Sequence, residues 1–134
     1  MTADRVTTRS HRSVRGFVGA VVAVLLLAGC AADPGETATG ETTEVTVTVE
    51  GMHFVPDVVE VPVGNELVVT FENTGTDVHD LVFANGARSE RLDPGQSGVI
   101  EVGVISADQE GWCSVSNHRQ LGMELVVRAV GRED

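Results

Sequence analysis

The sequence predicts a single all-β domain. Valine is abundant and falls in short runs, which favours strands over helices. Several of these runs alternate strictly between apolar and polar residues, and each is closed by residues typical of turns. No stretch combines a 3.6-residue apolar period with convincing helix caps. Several short strands, each followed by a turn, are typical of a β-sandwich or barrel.

Strands are predicted in order along the chain. Residues 44–50 alternate, with three valines on one face, and residues 59–63 repeat the pattern and stop at Gly64-Asn65. The later strands are expected at residues 67–72, 78–83, 98–104 and 123–130, with turns at Asn73-Thr74-Gly75, Asn85-Gly86 and Asp93-Pro94-Gly95. The segment before Trp112, residues 107–111, is short and acidic, so we expect an irregular strand leading into Cys113.

Charge excludes one class of function. The 134 residues contain 9 arginines, no lysine and 20 acidic residues, for a net charge of −11. Nucleic-acid binding needs a basic face, so it is not expected. Four of the arginines lie in residues 1–29 with one acid, so the remainder carries −14. We expect partner proteins with a basic docking face, because opposite charge steers encounter.

The first residues read as an export signal. Residues 16–29 are 14 uncharged residues after four arginines, too short for a membrane-spanning helix and typical of a signal peptide. The stretch leads into Leu27-Ala28-Gly29-Cys30, which resembles the lipobox of bacterial lipoproteins. The alternative is an ordinary secretory signal with a chance cysteine. The resemblance implies lipidation of Cys30 and anchoring at the outer face of the cytoplasmic membrane. We therefore expect a signal peptide at 1–29, a lipidated and disordered tether at 30–43, and the folded domain at 44–134.

Four residues form a candidate metal site. Cys113, His118 and Met123 are spaced five residues apart, and His79 lies 34 residues before the cysteine. Two imidazoles and a thiolate with a weak axial thioether are the ligands of type 1 copper, whereas zinc gains little from methionine. A separate metal role for Cys113 also argues against a disulfide with Cys30. The sequence therefore predicts one copper ion.

The same residues resemble those of a known family. Residues 45–130 resemble a small cupredoxin, a single-domain type 1 copper protein, in Phe54-Val55-Pro56, Val61-Pro62-Val63-Gly64, Asn73-Thr74-Gly75 before His79-Asp80-Leu81, Asp93-Pro94-Gly95, and the Cys-x₄-His-x₄-Met loop from Cys113 to Met123. The resemblance implies a Greek-key β-sandwich with copper near one end. Many relatives have Pro-Gly before the loop histidine, where this chain has Ser116-Asn117.

Each candidate also has a structural interpretation. Cys113 could be a buried thiol, His79 a strand histidine and Met123 a core residue, although their joint spacing favours ligation. His53 is expected to be a strand-edge histidine, and Glu124 should point away from the site.

Four neighbours of the ligands are assigned supporting roles. Asp80 and Ser114 are candidates for orienting His79 or for hydrogen bonding near the Cys113 sulfur. Asn117 tolerates positive φ. Trp112 is either a route for electrons to the surface or part of the core.

These observations predict a one-electron carrier that cycles between Cu(I) and Cu(II). The alternative is a protein that binds, stores or delivers copper. An enzyme is not expected, because cupredoxin-domain enzymes need a second copper centre, and only His53, His79 and His118 remain after the signal is removed.

Overall fold

The computed structural model describes residues 38–131, and these form eight strands and one 3₁₀ turn. The strands are β1 (Thr42–Glu50), β2 (His53–Val55), β3 (Val58–Pro62), β4 (Glu66–Glu72), β5 (Val82–Phe83), β6 (Ser97–Val104), β7 (Gln109–Trp112) and β8 (Glu124–Val130). The 3₁₀ turn, Arg119–Leu121, lies between β7 and β8. The all-β prediction is confirmed.

The strands form two four-stranded sheets. The first has the order β2-β1-β4-β6 and the second the order β3-β8-β7-β5. Two pairs are parallel, β1 with β4 and β3 with β8, and the other pairs are antiparallel. Because parallel neighbours cannot be joined by a tight hairpin, the chain crosses between the sheets. This is a β-sandwich of the expected kind.

The core lies between the two sheets and follows the alternation seen in the sequence. Val47 and Val49 of β1 point inward, as do Leu67, Val69 and Phe71 of β4. The second sheet adds its own inward residues, including Val59, Val61, Leu125 and Val127. Phe54 meets Phe71 edge to face with ring centroids 5.7 Å apart, an arrangement that aromatic pairs favour. Cys113 and Met123 belong to this same buried cluster.

Two strand predictions are wrong. The strand expected at 78–83 is reduced to β5, because His79 makes only an isolated bridge with Leu92 and the backbone N–H of Leu81 donates to the Ser89 hydroxyl rather than to a neighbouring strand. The segment expected to be irregular is β7, which pairs with β8 at four consecutive positions from Gln109 to Trp112. Pairing on both sides overrides its poor strand composition.

The folded domain begins before residue 44. Thr42 and Thr43 already pair with the start of β4, and the Thr39 hydroxyl donates to the side-chain oxygen of Asn65 at 2.7 Å. Part of the expected tether is therefore ordered. The predicted signal peptide, Cys30 and the tether up to residue 37 lie outside the described residues. Within residues 38–131, no helix has the length and apolar character needed to cross a membrane.

Candidate metal centre

Three of the predicted ligands meet at one end of the sandwich. The Nδ1 atoms of His79 and His118 lie 3.9 and 3.6 Å from the Cys113 Sγ. Their donor atoms all fall within 4.8 Å of one another, the one such cluster of three found among residues 38–131. The two imidazole rings are tilted by 54° with centroids 5.0 Å apart. Both rings therefore turn the same nitrogen towards the sulfur.

These separations fit a single bound ion. First-row metal bonds of roughly 2.0 Å to nitrogen and 2.3 Å to sulfur, set at angles between tetrahedral and trigonal, place the two donors about 3.5–3.7 Å apart, and a slightly wider angle accommodates the 3.9 Å of His79. Met123, the fourth predicted ligand, is fully buried in the core cluster that contains Cys113. Two imidazoles, a thiolate and a buried thioether are the donor set of type 1 copper.

The loop from Cys113 to Met123 is closed at its base. The backbone N–H of Cys113 donates to the carbonyl oxygen of Met123 at 3.1 Å. The His118 carbonyl accepts from the N–H groups of Leu121 and Met123, which curls the second half of the loop around the histidine. Gly122 allows the last turn, with φ of 98°. These backbone bonds hold the loop donors without a metal.

The first half of the loop turns at a different residue from the one expected. Ser116, with φ of 49°, is the single non-glycine residue of the described chain with positive φ. Asn117 is exposed and does not take that conformation. The Ser116 hydroxyl instead lies 3.4 Å from the Asn117 side-chain oxygen. The Ser116-Asn117 pair therefore provides the turn with polar side chains at the surface.

His79 is placed by the loop that follows β4. Its N–H and carbonyl exchange hydrogen bonds with Leu92 at 3.1 and 2.8 Å. The buried Asn73 side chain donates to the carbonyls of Asp77 and Leu92 and accepts from the N–H of Gly75. Asn73 thus links both segments that flank His79. The sequence identified this turn but not the connections that its asparagine makes.

Burial disfavours the charged forms of two of the buried ligands, Cys113 and His79. Burial raises the pKa of the Cys113 thiol, although backbone N–H groups of Asp80 and Val115 donate to its sulfur and act in the opposite direction. Burial also lowers the pKa of His79, and the nearby His118 adds to that effect. The metal-free site therefore favours a neutral thiol and a neutral imidazole. A bound cation would reverse the preference at the sulfur, since a coordinating thiol is deprotonated.

Asp80 and Ser114, both predicted near the site, bind each other. Asp80 is completely buried, and its Oδ1 accepts from the Ser114 N–H at 2.6 Å. Its Oδ2 accepts from the Ser114 hydroxyl at 2.5 Å. Because Asp80 follows His79 and Ser114 follows Cys113, this double contact connects the two segments that carry the buried donors.

Trp112 lies beside Cys113 on the outer face of the sheet. It is half-buried and is not a member of the apolar core cluster. The Arg119 guanidinium stacks over its ring at 4.4 Å and also binds Glu110 at 3.0 Å and Glu124 at 2.7 Å. Arg119 follows His118 directly, so this network fixes the exposed side of the ligand loop to β7 and β8.

The sequence reasoning missed three arginines near the site. Arg119 has the one sequence signal that could have revealed its role, its position next to a ligand. Arg88 and Arg91 lie within 4 Å of the Asp80 carboxylate but have no such signal, because the fold brings them there.

The two neighbouring candidates stay outside the donor set. His53 is on edge strand β2, as predicted, and is exposed. A methyl group on Gly122 would lie 3.4 Å from its ring, so His53 borders the ligand loop. Glu124 is exposed and paired with Arg119, so it points away from the donors as expected.

The fold and the donor set together define a type 1 copper protein built on a β-sandwich. The chain belongs to the family of cupredoxin-like domains, whose family model matches residues 18–110. That match ends before Cys113, so the ligand loop is supported by its geometry rather than by the family model. No curated protein matches the sequence.

Solved structures with the same fold include auracyanins and a copper-containing enzyme. An auracyanin from Roseiflexus castenholzii is 19% identical with a TM-score of 0.58, over 68% of this chain and 99% of that one. Auracyanin A from Chloroflexus aurantiacus, described as a "blue" copper protein, is 14% identical with a TM-score of 0.55, over 66% and 99%. A copper-containing nitrite reductase from Thermus scotoductus is 22% identical with a TM-score of 0.53, over 69% of this chain and 24% of that one. At these identities the likeness establishes the fold.

Proposed function

We propose that the protein is a one-electron carrier that holds one copper ion between His79, Cys113, His118 and Met123. The observation that carries the proposal is the convergence of two Nδ1 atoms on one buried sulfur, in a site that backbone hydrogen bonds already hold. Copper bound there supplies a Cu(I)/Cu(II) couple. The fold matches those of two auracyanins over 99% of each auracyanin chain, which supports assignment to the class of electron carriers.

The protein's contribution is to hold the donors and limit access. Cys113 and Met123 are buried and His79 is 1% exposed, whereas His118 is half-buried. Water is therefore kept from three donors, and electrons have a short path to the surface at His118. A site that changes little between oxidation states suits rapid electron exchange.

Visible absorption and EPR during titration with Cu(II) test this proposal. The full chain with Cys30→Ser has Cys113 as its single thiol. We expect an intense blue band that saturates at about one copper per chain, and its loss in Cys113→Ala. His79→Ala should also lose it, whereas His53→Ala, the matched control on the neighbouring edge strand, should keep it. A weak spectrum in the unmutated site would contradict the proposal.

Copper delivery or storage is the alternative class, and retention separates the two. The closed base of the loop and the burial of Cys113 and Met123 favour retention. We expect a chelator in excess to remove copper over hours rather than seconds in both oxidation states. Rapid loss of Cu(I) would favour delivery instead.

We also propose that the protein has no substrate turnover of its own. The nitrite reductase in the comparison aligns over 24% of its chain, so most of that enzyme has no counterpart here. The described residues contain one further histidine, His53, and its strand β2 carries no other metal-binding side chain. Nitrite consumption by the copper-loaded protein would contradict this statement.

Trp112 is proposed as an outer electron port. Trp112 is the last residue of β7 and directly precedes Cys113. Its side chain is half-buried, and the Arg119 guanidinium stacks over its ring. Trp112→Leu should slow reduction by a protein partner at an unchanged potential. Equal rates would leave Trp112 as a packing residue.

For location, we propose attachment at the outer face of the cytoplasmic membrane through a lipid on Cys30. The basis is the lipobox-like sequence before that residue. Cys30→Ala should release the protein from the membrane fraction and remove the lipid mass. Membrane association that is insensitive to this change would contradict lipidation.

A further inference from the structure

We infer that the buried negative charge of Asp80, partly offset by Arg88 and Arg91, tunes the reduction potential of the bound copper. The inference rests on the proposed copper function and concerns residues that do not touch the metal. Asp80 is a positioning residue by its hydrogen bonds and an electrostatic residue by its charge, and the two roles can be separated by experiment.

The hydrogen bonds of Asp80 reach the Cys113 segment, and its chain neighbour is His79. Its backbone N–H donates to the Cys113 sulfur, and it adjoins His79 in the chain. Both carboxylate oxygens accept from Ser114, one from the N–H and one from the hydroxyl. With no exposed surface, the side chain has no contact with solvent that could replace these bonds.

Those hydrogen bonds do not require a charge. An asparagine in the same position could accept from the Ser114 N–H through its oxygen and contact the Ser114 hydroxyl through its NH₂ group. A buried carboxylate is costly unless it is paired. The negative charge is therefore a separate feature of the site, and the protein supports it with cations.

Arg88 and Arg91 provide that support. The Arg88 Nη2 and the Arg91 Nε lie 3.8 and 3.9 Å from the same oxygen, Oδ2 of Asp80. Both separations exceed hydrogen-bond length, so the interaction is Coulombic. The arginine side chains are 57% and 66% exposed, whereas the Asp80 side chain is fully buried. Solvent therefore screens the positive charges more than the negative one.

The sign of the effect follows from this asymmetry. A poorly screened negative charge beside the Cys113 sulfur favours Cu(II), the more positive state, over Cu(I). Asp80 should therefore lower the reduction potential. Arg88 and Arg91 offset part of that effect from the surface, so removing either of them should lower the potential further.

Redox titration of the copper-loaded full chain, carrying Cys30→Ser, measures this effect. Asp80→Asn should keep the blue band and the EPR spectrum while the Cu(I):Cu(II) ratio at a fixed ambient potential rises about tenfold, or ~59 mV for one electron. Arg88→Gln and Arg91→Gln should each lower that ratio. Asp77→Asn is the matched control: it removes an exposed carboxylate near the same histidine and should change the ratio less than about twofold, because solvent screens it.

Asp80→Ala separates position from charge. It removes the acceptors of both Ser114 donors, so we expect altered EPR parameters and faster copper loss in addition to the higher potential. An unchanged potential in Asp80→Asn with an intact blue band would overturn the inference. A rise in the Cu(I):Cu(II) ratio in both Arg88→Gln and Arg91→Gln would overturn it too. If Asp80→Asn does not fold, these two arginine variants provide the test. If the copper-loaded chain with an unchanged Asp80 lacks the blue band, that result would instead contradict the proposed copper function.

Discussion

Gly75 gives the His79 ring the space that it occupies. A methyl group on Gly75 would lie 3.1 Å from the His79 Nε2, 3.1 Å from Val49 and 3.3 Å from the Asn73 side-chain oxygen. All three neighbours belong to the packed or hydrogen-bonded interior, so none can move freely. The glycine is required by close approach to a ligand.

Gly75→Ala should therefore destabilise the metal-free domain and disturb the site. We expect a loss of about 1–3 kcal/mol in the free energy of unfolding, measured by denaturant titration, together with a changed EPR spectrum after copper loading. Gly98→Ala is the matched control, since its added methyl group meets only Leu92 at 3.9 Å, an ordinary contact. Equal stabilities of the two variants would contradict the crowding argument.

The metal-free site should also restrict the pH range of stability. The pKa of His79 is lowered in the fold, so the unfolded chain binds more protons once the pH falls below the ordinary value of 6.5, and stability declines there. The pKa of Cys113 is raised, so stability declines as the pH rises through the ordinary value of 9.0. Unfolding free energies of the copper-free domain should be level between these limits.

Single substitutions test which group causes the decline in stability at each end of this pH range. Cys113→Ala should remove the alkaline decline, and His79→Gln should reduce the acid decline, leaving what the carboxylates contribute. Denaturant titrations at intervals of pH measure both. An alkaline decline that persists in Cys113→Ala would show that another group is responsible.

At the scale of elements, the segment between β4 and β5 depends on Asn73. This buried side chain makes three hydrogen bonds to backbone groups, including the carbonyls of Asp77, two residues before His79, and of Leu92, which pairs with His79. Asn73→Ala should cost about 1–3 kcal/mol, because buried backbone groups lose their partners. Denaturant titration measures the cost, and chelator competition should show faster copper loss.

Asn85 offers the matched comparison for that prediction. Its side chain makes the same kinds of bond, donating to the Val102 carbonyl and accepting from the Ala87 N–H, but it is exposed and belongs to another turn. Asn85→Ala should cost less and leave copper retention unchanged. Copper loss from the Asn85 variant that is as fast as, or faster than, loss from the Asn73 variant would contradict the assignment.

The sequence predicted elements well where one side of a strand faces the core. Alternation identified β1, β3 and β4 because most of their buried and exposed residues differ in polarity. It overestimated β5, where the side chains of Asp80 and Ser89 replace strand pairing, and underestimated β7, whose pairing comes from β8. Contacts between residues far apart in the chain decide both cases.

The donor residues were predictable for a related reason. Cys113, His118 and Met123 share one loop, so their spacing carries information, and His79 completes a recognisable chemical set. Arg88 and Arg91 have no such spacing relative to Asp80, and an exposed arginine looks like any other in a sequence. Their approach to a buried carboxylate is a product of the tertiary fold.

At the scale of the whole molecule, negative charge dominates. The described residues contain four arginines against 15 acidic residues, and three of the arginines lie beside the Cys113 segment. We propose a redox partner with a basic docking face. Its association rate should fall steeply, by about tenfold or more, between low and physiological ionic strength. Stopped-flow measurements over a salt series test this, and a flat response would contradict it.

Both ends of the described chain leave the sandwich at the pole opposite to the copper donors. Thr39 is bound to Gly64 and Asn65, and the Val130 carbonyl accepts from Val63 beside them. Residues Thr42 to Val49 then extend roughly 23 Å along β1 before they reach Gly75 and His79. A handle fused before residue 38 or after residue 131, such as a dye, a biotin or a gold-binding thiol, therefore holds the domain by its far pole. On an electrode or a sensor chip, His118 would face the solution.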